Sequence, residues 1–287
     1  YDWFKDINYL EFLREVGKHM PLSQMLGRDF IQARLGESGS GISYAEFSYA
    51  LIQGYDFVHL FRNKGVTLQI AGADQWGNSV TGVQLIRRLE NADSHVWTAP
   101  LIINKATGKK FGKSEGGAIF LDETMTSAYK FYQFWLNVDD EGVTDYLKLY
   151  TTFSREDIEK LAERQAQNPG MRPAQRELAH EVTKLVHGEE RAASVARVTE
   201  ALFGGAEFTS LSDEDVEVLA GEIPVASRDI AVSEILVNVE LTQSKGEGRR
   251  LIAGGAISVN GQKITEDIDI TDRSLIKKGK NSFVLVR

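Results

Sequence analysis

A run of strand-forming residues followed directly by a helical pattern constrains the fold of this chain most. Residues Val66–Gly72 (V-T-L-Q-I-A-G) have the composition of a strand, and a helical pattern extends from about Asn78 to Leu89. Leu101–Ile103 is predicted to form another short buried strand. Strands that alternate with helices are typical of a parallel sheet. We therefore predict an α/β fold with a βαβ-type parallel sheet up to about Asp122.

The pattern changes twice after this first part. From about Met125 to Leu219 the signals are almost wholly helical, and Gly221–Asp229 is predicted to be a linker. The last block is predicted to form two short helices, a hairpin and a closing strand, at Val232–Val239, Lys245–Ile252, Ile257–Ile264 and Phe283–Val286. Asn260-Gly261 in the hairpin favours a type I′ turn. We predict three domains, at 1–123, 124–224 (all-helical) and 225–287 (small, α+β).

Composition excludes several classes of protein. The 287 residues include no cysteine, which rules out disulfides, thiolate metal sites and cysteine nucleophiles. The five histidines show no metal-ligand spacing, so no metal site is predicted. No apolar run approaches the ~20 residues of a membrane span, and we expect a cytoplasmic protein with no membrane partner. The net charge is −8, but residues 227–287 hold 10 basic and 8 acidic residues, so this tail has a net positive charge that favours a partner bearing phosphates.

A helix that begins near Ser43 carries the first candidate site. Ser43-Tyr-Ala-Glu46 has the pattern of a capping box, and the helix is apolar on most sides. Tyr49, Gln53 and Asp56 nevertheless fall at i, i+4 and i+7, on one face. Polar groups that converge in an apolar wall are typical of a small-molecule pocket. A face that simply meets solvent is the alternative, and spacing alone does not decide between them.

The turn after the predicted strand is the second candidate site. In Gly72-Ala-Asp-Gln-Trp-Gly-Asn78, a strand ends and a helix begins, and ligands of doubly wound sheets bind beyond such strand ends. Gly72 allows a close backbone approach, Asp74 can accept hydrogen bonds from ribose hydroxyls or an ammonium group, and Gln75 can contact a carboxyl group. A polar turn capped by Asp74 is the alternative interpretation.

A glycine-bracketed basic segment, Gly108–Gly117, is the third candidate site. Lys110 and Lys113 are point charges suited to phosphate oxygens, and the Ser114 hydroxyl adds a donor. The segment does not match the Walker A spacing. The alternative interpretation is an exposed basic loop, which is the more common structure of such a segment.

Taken together, these motifs resemble the bacterial tyrosyl-tRNA synthetases, which are class I aminoacyl-tRNA synthetases. The resemblance covers the whole chain: Tyr49–Asp56 is similar to the family's tyrosine-binding helix, Gly72–Asn78 to its strand-end motif, and Lys110–Ser114 to its K-M-S-K-S loop. Residues 232–264 resemble an RNA-binding domain shared with a small-subunit ribosomal protein. The resemblance implies that the first domain is a partial Rossmann-like parallel sheet.

The resemblance also implies roles for individual residues. Asp56 would bind the phenolic hydroxyl of L-tyrosine, Tyr49 and Gln53 its ammonium group, and Gln75 its carboxyl group. Gly72 and Asp74 would bind the ribose of ATP. The loop residues would bind the ATP phosphates and act in catalysis, namely Lys110, Phe111, Gly112, Lys113 and Ser114. Three residues of the tail would contact tRNA phosphates, namely Lys245, Arg249 and Arg250.

The implied reaction joins tyrosine to tRNA(Tyr) through tyrosyl-adenylate, with ATP as substrate, Mg²⁺ on the ATP and no tightly bound cofactor. A homodimer is expected. The chain lacks any H-x-x-H pattern, so we expect the family's N-terminal section to be missing and the isolated chain to form no adenylate. A non-catalytic RNA-binding protein derived from a synthetase is the alternative of another class. A tryptophanyl-tRNA synthetase is a third, disfavoured by Asp56 and Tyr49.

Overall fold

The first unit of the chain, Tyr1–Ile103, is built on a helix pair and a two-stranded parallel sheet. The computed structural model describes residues 2–35, 39–105, 108 and 119–287. The elements of this unit are α1 (Tyr9–Glu15), α2 (Leu22–Leu26), α3 (Asp29–Leu35), α4 (Tyr44–Lys64), β1 (Leu68–Gly72), α5 (Trp76–Glu90) and β2 (His95–Ala99). Single 3-10 turns lie at Gly17–His19 and Ala73–Gln75. The helix predicted at Asn78–Leu89 is confirmed as part of α5.

The long helix α4 begins at the predicted capping box. The Ser43 hydroxyl accepts a hydrogen bond from the Glu46 N–H, and the Glu46 carboxylate accepts one from the Ser43 N–H. The buried face of α4 packs against α5 around two large side chains, Phe57 and Leu85. Gly82 in α5 makes this contact close, because a Cβ there would lie 2.7 Å from the Phe57 Cβ.

The two strands of the first unit are parallel, in the register Leu68↔His95 to Gly72↔Ala99. The strand predicted at Leu101–Ile103 is wrong, since the second strand is β2 and both Leu101 and Ile103 are more than a third exposed. β2 ends at Ala99 because Pro100 follows and has no N–H to donate to the ladder.

The second unit, Asn104–Arg287, begins with the helical region that the sequence predicts. Its helices are α6 (Ala128–Leu136), α7 (Val143–Tyr150), α8 (Arg155–Gln167), α9 (Pro173–His187), α10 (Glu189–Thr199) and α11 (Asp213–Ala220). A 3-10 turn, a π-helical turn and a further 3-10 turn lie at Pro169–Met171, Glu200–Gly204 and Phe208–Ser210. None of the helices described anywhere in the chain is long and apolar enough to cross a membrane.

The end of the chain forms small sheets against two helices. The elements are β3 (Val225–Ala226), β4 (Ile230–Ala231), α12 (Val232–Asn238), α13 (Lys245–Ala253), β5 (Ile257–Val259), β6 (Gln262–Lys263), β7 (Asp269–Ile270), β8 (Ser274–Lys278) and β9 (Ser282–Val286). The main sheet has the order β3-β9-β8-β5-β6, and β4 pairs with β7. Asn260 and Gly261 join β5 to β6 with φ of 49° and 82°, as a type I′ turn requires.

The prediction that Gly221–Asp229 is a linker is wrong in one part, because this segment contains β3, which pairs in parallel with β9. Apolar residues of the helical region and of the last sheet share one core, for example Leu202, Leu219 and Leu285.

A buried carboxylate holds α11 against α10. Asp215 lies in the first turn of α11, and its side chain is 1% exposed. It accepts two hydrogen bonds from Arg197 at 2.8 Å, one from the Ser194 hydroxyl at 2.6 Å and one from the Ser212 N–H at 3.3 Å. Burial alone would raise the pKa of Asp215, but these hydrogen bonds outweigh it and hold that pKa below its ordinary value.

Candidate active site

The three polar residues predicted to share a face of α4 differ in their exposure. Tyr49 is 54% exposed, whereas Gln53 and Asp56 are both partly buried. Gln53 and Asp56 each have a polar partner from another part of the first unit. The face is therefore more than a solvated helix surface at these two positions, while Tyr49 meets solvent.

The Asp56 carboxylate is fixed by the indole of Trp3. Trp3 Nε1 donates a hydrogen bond to Asp56 Oδ1 at 2.7 Å. A carboxylate offers about four lone-pair positions, so a single such bond leaves most of its acceptor capacity in place. The arrangement holds a negatively charged acceptor in one orientation at the side of α4.

Gln53 joins α4 to the strand-end motif. Asn78, the last residue of that motif, donates from Nδ2 to Gln53 Oε1 at 3.2 Å. Asn78 lies in the first turn of α5, so this bond brings the first two candidate sites together. The close packing of α4 on α5 through Gly54 and Gly82 is what allows the contact.

The strand-end motif lies where the sequence predicts, at the carboxyl end of β1. β1 ends at Gly72, the single 3-10 turn follows, and Gln75 is the N-cap of α5. A Cβ on Gly72 would lie 2.9 Å from Asp74 Oδ1, so the Asp74 side chain folds back over the glycine. Asp74 is exposed and Gln75 is partly buried. A ligand at this edge would meet a backbone without a side chain and an accessible carboxylate.

An arginine beside the motif was missed by sequence reasoning. Arg28 Nη2 donates to Thr81 Oγ1 at 2.5 Å, and its Cδ lies 3.4 Å from the position of a Cβ on Gly77. Partial burial lowers the pKa of the Arg28 guanidinium below its ordinary value. Its positive charge therefore lies against the first turns of α5.

Trp3 and Arg28 were missed because their partners are 53 residues away in both cases, and no local spacing signals such a contact. Asn78 could have been found from the sequence, because it is the last residue of the strand-end motif Gly72–Asn78.

The lysine loop lies outside the residues that the structure describes. This holds for all five of its predicted site residues, Lys110, Phe111, Gly112, Lys113 and Ser114. Their roles stay predictions. Within the described ranges, no group of three or more potential metal-ligating side chains converges on one point.

The three cations predicted to bind tRNA lie on α13 and are exposed. Lys245 Nζ is 2.6 Å from Glu234 Oε2, and Arg249 Nε is 3.1 Å from Asp267 Oδ2. Arg250 forms no ion pair in the part of the chain from 119 to 287. Two of the three charges are thus partly compensated within the protein.

Comparison with known proteins shows the family of the chain. Residues 1–204 match the family "tRNA synthetases class I (W and Y)", and residues 215–287 match the "Tyrosine--tRNA ligase SYY-like C-terminal domain". Over its whole length the chain is 45% identical to a tyrosine–tRNA ligase of Anaeromyxobacter dehalogenans and 44% identical to one of Escherichia coli. It spans 70% of the length of each of these relatives.

Solved structures show the same relationship. A C-terminally truncated mitochondrial tyrosyl-tRNA synthetase of Aspergillus nidulans is similar with a TM-score of 0.57 and 34% identity. The match covers 70% of this chain and 57% of that one. Both the sequence and the structural matches favour the ligase over a non-catalytic RNA-binding protein. The chain belongs to the tyrosine–tRNA ligases, a family of class I aminoacyl-tRNA synthetases.

Proposed function

We propose that the polar face of α4 binds L-tyrosine and that Asp56 accepts the hydrogen bond of the phenolic hydroxyl. The observation that carries this proposal is the bond from Trp3 Nε1 to Asp56 Oδ1 at 2.7 Å, which fixes the carboxylate and leaves it further acceptor capacity. A hydroxyl that donates to a fixed carboxylate forms a charge-assisted hydrogen bond. Phenylalanine would leave the acceptor unpaired, so the site would select against it.

The amino group of the substrate would lie near Gln53 and Tyr49. Gln53 Oε1 accepts one hydrogen bond from Asn78 and has a second lone pair for an ammonium donor. Tyr49 is 54% exposed, and its hydroxyl would be another acceptor. Gln75, three residues before Asn78, would contact the carboxyl group from the start of α5. The tyrosine would thus lie between α4 and the strand end.

ATP would bind at the carboxyl end of β1, with its ribose against Gly72 and Asp74. The first step is attack of the tyrosine carboxylate oxygen on the α-phosphorus, which releases pyrophosphate. Lys110, Lys113 and Ser114, with the backbone of Phe111 and Gly112, would bind the phosphates and compensate the charge that builds on pyrophosphate. Mg²⁺ would enter with ATP as its counterion. A tRNA hydroxyl then attacks the adenylate carbonyl and AMP leaves.

The remaining domains would handle tRNA(Tyr). The helical domain at 124–224 and the domain at 225–287 carry no candidate catalytic group, and α13 presents Lys245, Arg249 and Arg250 to solvent. These cations would contact tRNA phosphates, which is a salt-dependent interaction. We place the reaction in the cytoplasm of a bacterium.

A homodimer is part of the same proposal. An open, mainly apolar groove of about 230 Å³ lies beside α1 and the start of α4, where Tyr9 and Tyr44 are each about 60% exposed. The Tyr9 and Tyr44 hydroxyls are 3.1 Å apart. A second copy of the chain would cover this surface.

Two binding measurements on the 287-residue chain test the proposal. Titration calorimetry should show L-tyrosine binding more tightly than L-phenylalanine, and filter binding should show tRNA(Tyr) binding. Binding of tRNA without any tyrosine site would instead support the non-catalytic alternative. Tyrosine-dependent ATP–pyrophosphate exchange should be absent from these residues alone, because they contain no H-x-x-H pattern.

A further inference from the structure

His59 lies against the indole that fixes Asp56. The two rings, of Trp3 and His59, are stacked with centroids 4.4 Å apart and an angle of 12° between their planes. His59 is on α4 three residues after Asp56, so both side chains lie on the same side of the helix. Trp3 is therefore held at two points by one helix, through its N–H and through its face.

The backbone around Trp3 gives the indole little other support from regular structure. Trp3 precedes the first helix of the chain, and α1 begins only at Tyr9. An indole N–H keeps one direction only if its ring plane is fixed, and a stacked partner fixes that plane. Stacked aromatic pairs are stabilised beyond their buried area, and this attraction restricts the ring.

His59 is itself restrained from within α4. Asn63 Nδ2 donates to the His59 carbonyl oxygen at 2.9 Å and lies 3.4 Å from His59 Nδ1. A linear series of contacts results, from Asn63 to His59, to Trp3 and to Asp56. The series ends at the carboxylate assigned above to the phenolic hydroxyl.

We infer that His59 is a positioning residue for tyrosine specificity: its ring holds Trp3 in the plane that keeps the indole N–H on Asp56. This inference rests on the proposed tyrosine site. His59 touches no substrate in it and acts through Trp3. Its effect is therefore on the discrimination between tyrosine and phenylalanine, since only tyrosine needs an oriented carboxylate.

The test compares variants of the 287-residue chain by two measurements. The indole N–H resonance of Trp3, assigned with Trp3→Phe, reports the bond to Asp56 without any ligand. Calorimetry reports the affinities for tyrosine and phenylalanine. The variants are His59→Ala, His59→Leu, which keeps bulk without a flat ring, and His59→Phe, which keeps the ring. His19→Ala, at another partly buried histidine of the same unit, is the matched control.

We expect His59→Ala and His59→Leu to move the Trp3 resonance toward that of a free indole and to weaken tyrosine binding about three- to tenfold, with phenylalanine binding unchanged. His59→Phe should keep the Trp3 resonance and the tyrosine affinity of the parent chain. An unchanged resonance in His59→Leu, or equal losses for both amino acids, would overturn the inference. If the unmodified chain bound no tyrosine, the proposed site would fail, and the resonance would still decide whether His59 orients Trp3.

Discussion

Gly54 in α4 lies so close to Thr81 in α5 that a methyl group on Gly54 would be 2.8 Å from the Thr81 Cγ2 atom. Leu85 Cδ1, at 3.1 Å, and the Gly82 nitrogen, at 3.2 Å, close the same space. The two helices can approach this closely only because the position has no side chain. This approach places Gln53 within hydrogen-bond distance of Asn78.

Gly54→Ala should destabilise the first unit, although alanine is the better helix former. The added methyl group must push the helices apart or displace Thr81, and overpacking of this kind costs about 1–3 kcal/mol. Thermal unfolding followed by circular dichroism measures the effect. Gly170→Ala is the control, because nothing lies within 4 Å of its Cβ position. A Gly54→Ala melting temperature equal to that of the parent chain would contradict the packing argument.

Asp56→Asn should weaken tyrosine binding about 10- to 100-fold and leave phenylalanine binding nearly unchanged, because a hydrogen bond to a charged group is lost. Calorimetry with both amino acids measures the difference. Trp3→Phe, which removes the N–H donor and leaves a smaller aromatic ring, should show a smaller loss of the same selectivity. Asp6→Asn, at an exposed carboxylate of the same unit, should change neither affinity. Equal losses for both ligands in Asp56→Asn would show that Asp56 acts on folding rather than on recognition.

Gly72→Ala should weaken ATP binding while leaving the fold intact. The φ of −72° suits alanine, but its Cβ would lie 2.9 Å from Asp74 Oδ1 and 3.2 Å from Leu101 Cδ2. Asp74 would have to move from the position in which we propose that it contacts the ribose. Fluorescence titration with an ATP analogue measures the effect, with Gly77→Ala as control, since its Cβ would meet only the flexible Arg28 side chain at 3.4 Å or more. An unchanged affinity of Gly72→Ala for the ATP analogue would contradict a role of Asp74 in nucleotide binding.

Asp215 should make the stability of the second unit depend on acid pH. The pKa of Asp215 in the folded chain is held below its unfolded value of about 3.9, so its contribution to the free energy of unfolding is complete above that value. It is lost as the pH falls through the lower folded pKa. Urea unfolding at a series of pH values should show this loss below about pH 4.

Asp215→Asn removes the charge-assisted bonds to Arg197 and should cost about 2–3 kcal/mol at pH 7, with a weaker pH dependence below pH 4. Asp213→Asn is the matched control, because the Asp213 side chain is 93% exposed. If Asp215→Asn unfolded with the same acid profile as the parent chain, the ion pair would not be the source of the dependence.

Arg250→Ala should lower the salt dependence of tRNA binding more than Lys245→Ala or Arg249→Ala. Arg250 has no acidic partner in residues 119–287, whereas Lys245 and Arg249 are paired with Glu234 and Asp267. Each phosphate contact contributes about one unit to the slope of log K against log salt concentration. The variant with all three residues replaced by alanine should therefore have the flattest salt dependence. Filter binding at several salt concentrations measures the slopes. Arg14→Ala, an exposed arginine of the first unit, should leave the slope as it is.

Local features of this fold could be predicted from the sequence, and long-range ones could not. The capping box at Ser43 and the hairpin turn at Asn260-Gly261 are written in adjacent residues, and both are confirmed. The bond from Trp3 to Asp56 joins positions 53 apart, and no spacing rule anticipates it. The strand prediction at Leu101–Ile103 is wrong for a local reason, because Pro100 follows the last residue of β2 and cannot donate to the ladder.

The candidate site divides in the same way. The spacing of Gln53 and Asp56 predicted a shared helix face, and the partners that give this face its polarity became visible only in three dimensions. Lys245 and Arg249 were predicted as a basic surface, but their acidic partners come from α12 and from the segment before β7, which the sequence does not connect with them.

The parallel pairing of β3 with β9 has a consequence for synthesis of the protein. β3 is made before the other elements of residues 225–287, yet its sheet neighbour within the described residues, β9, is made after all of them. The core of the helical region is also incomplete until β9 has been made, because Leu285 of β9 belongs to that core. This part of the protein therefore cannot complete its fold until β9 has been made, and a pause in translation before β9 would leave Val225 and the apolar face of α11 exposed to chaperones.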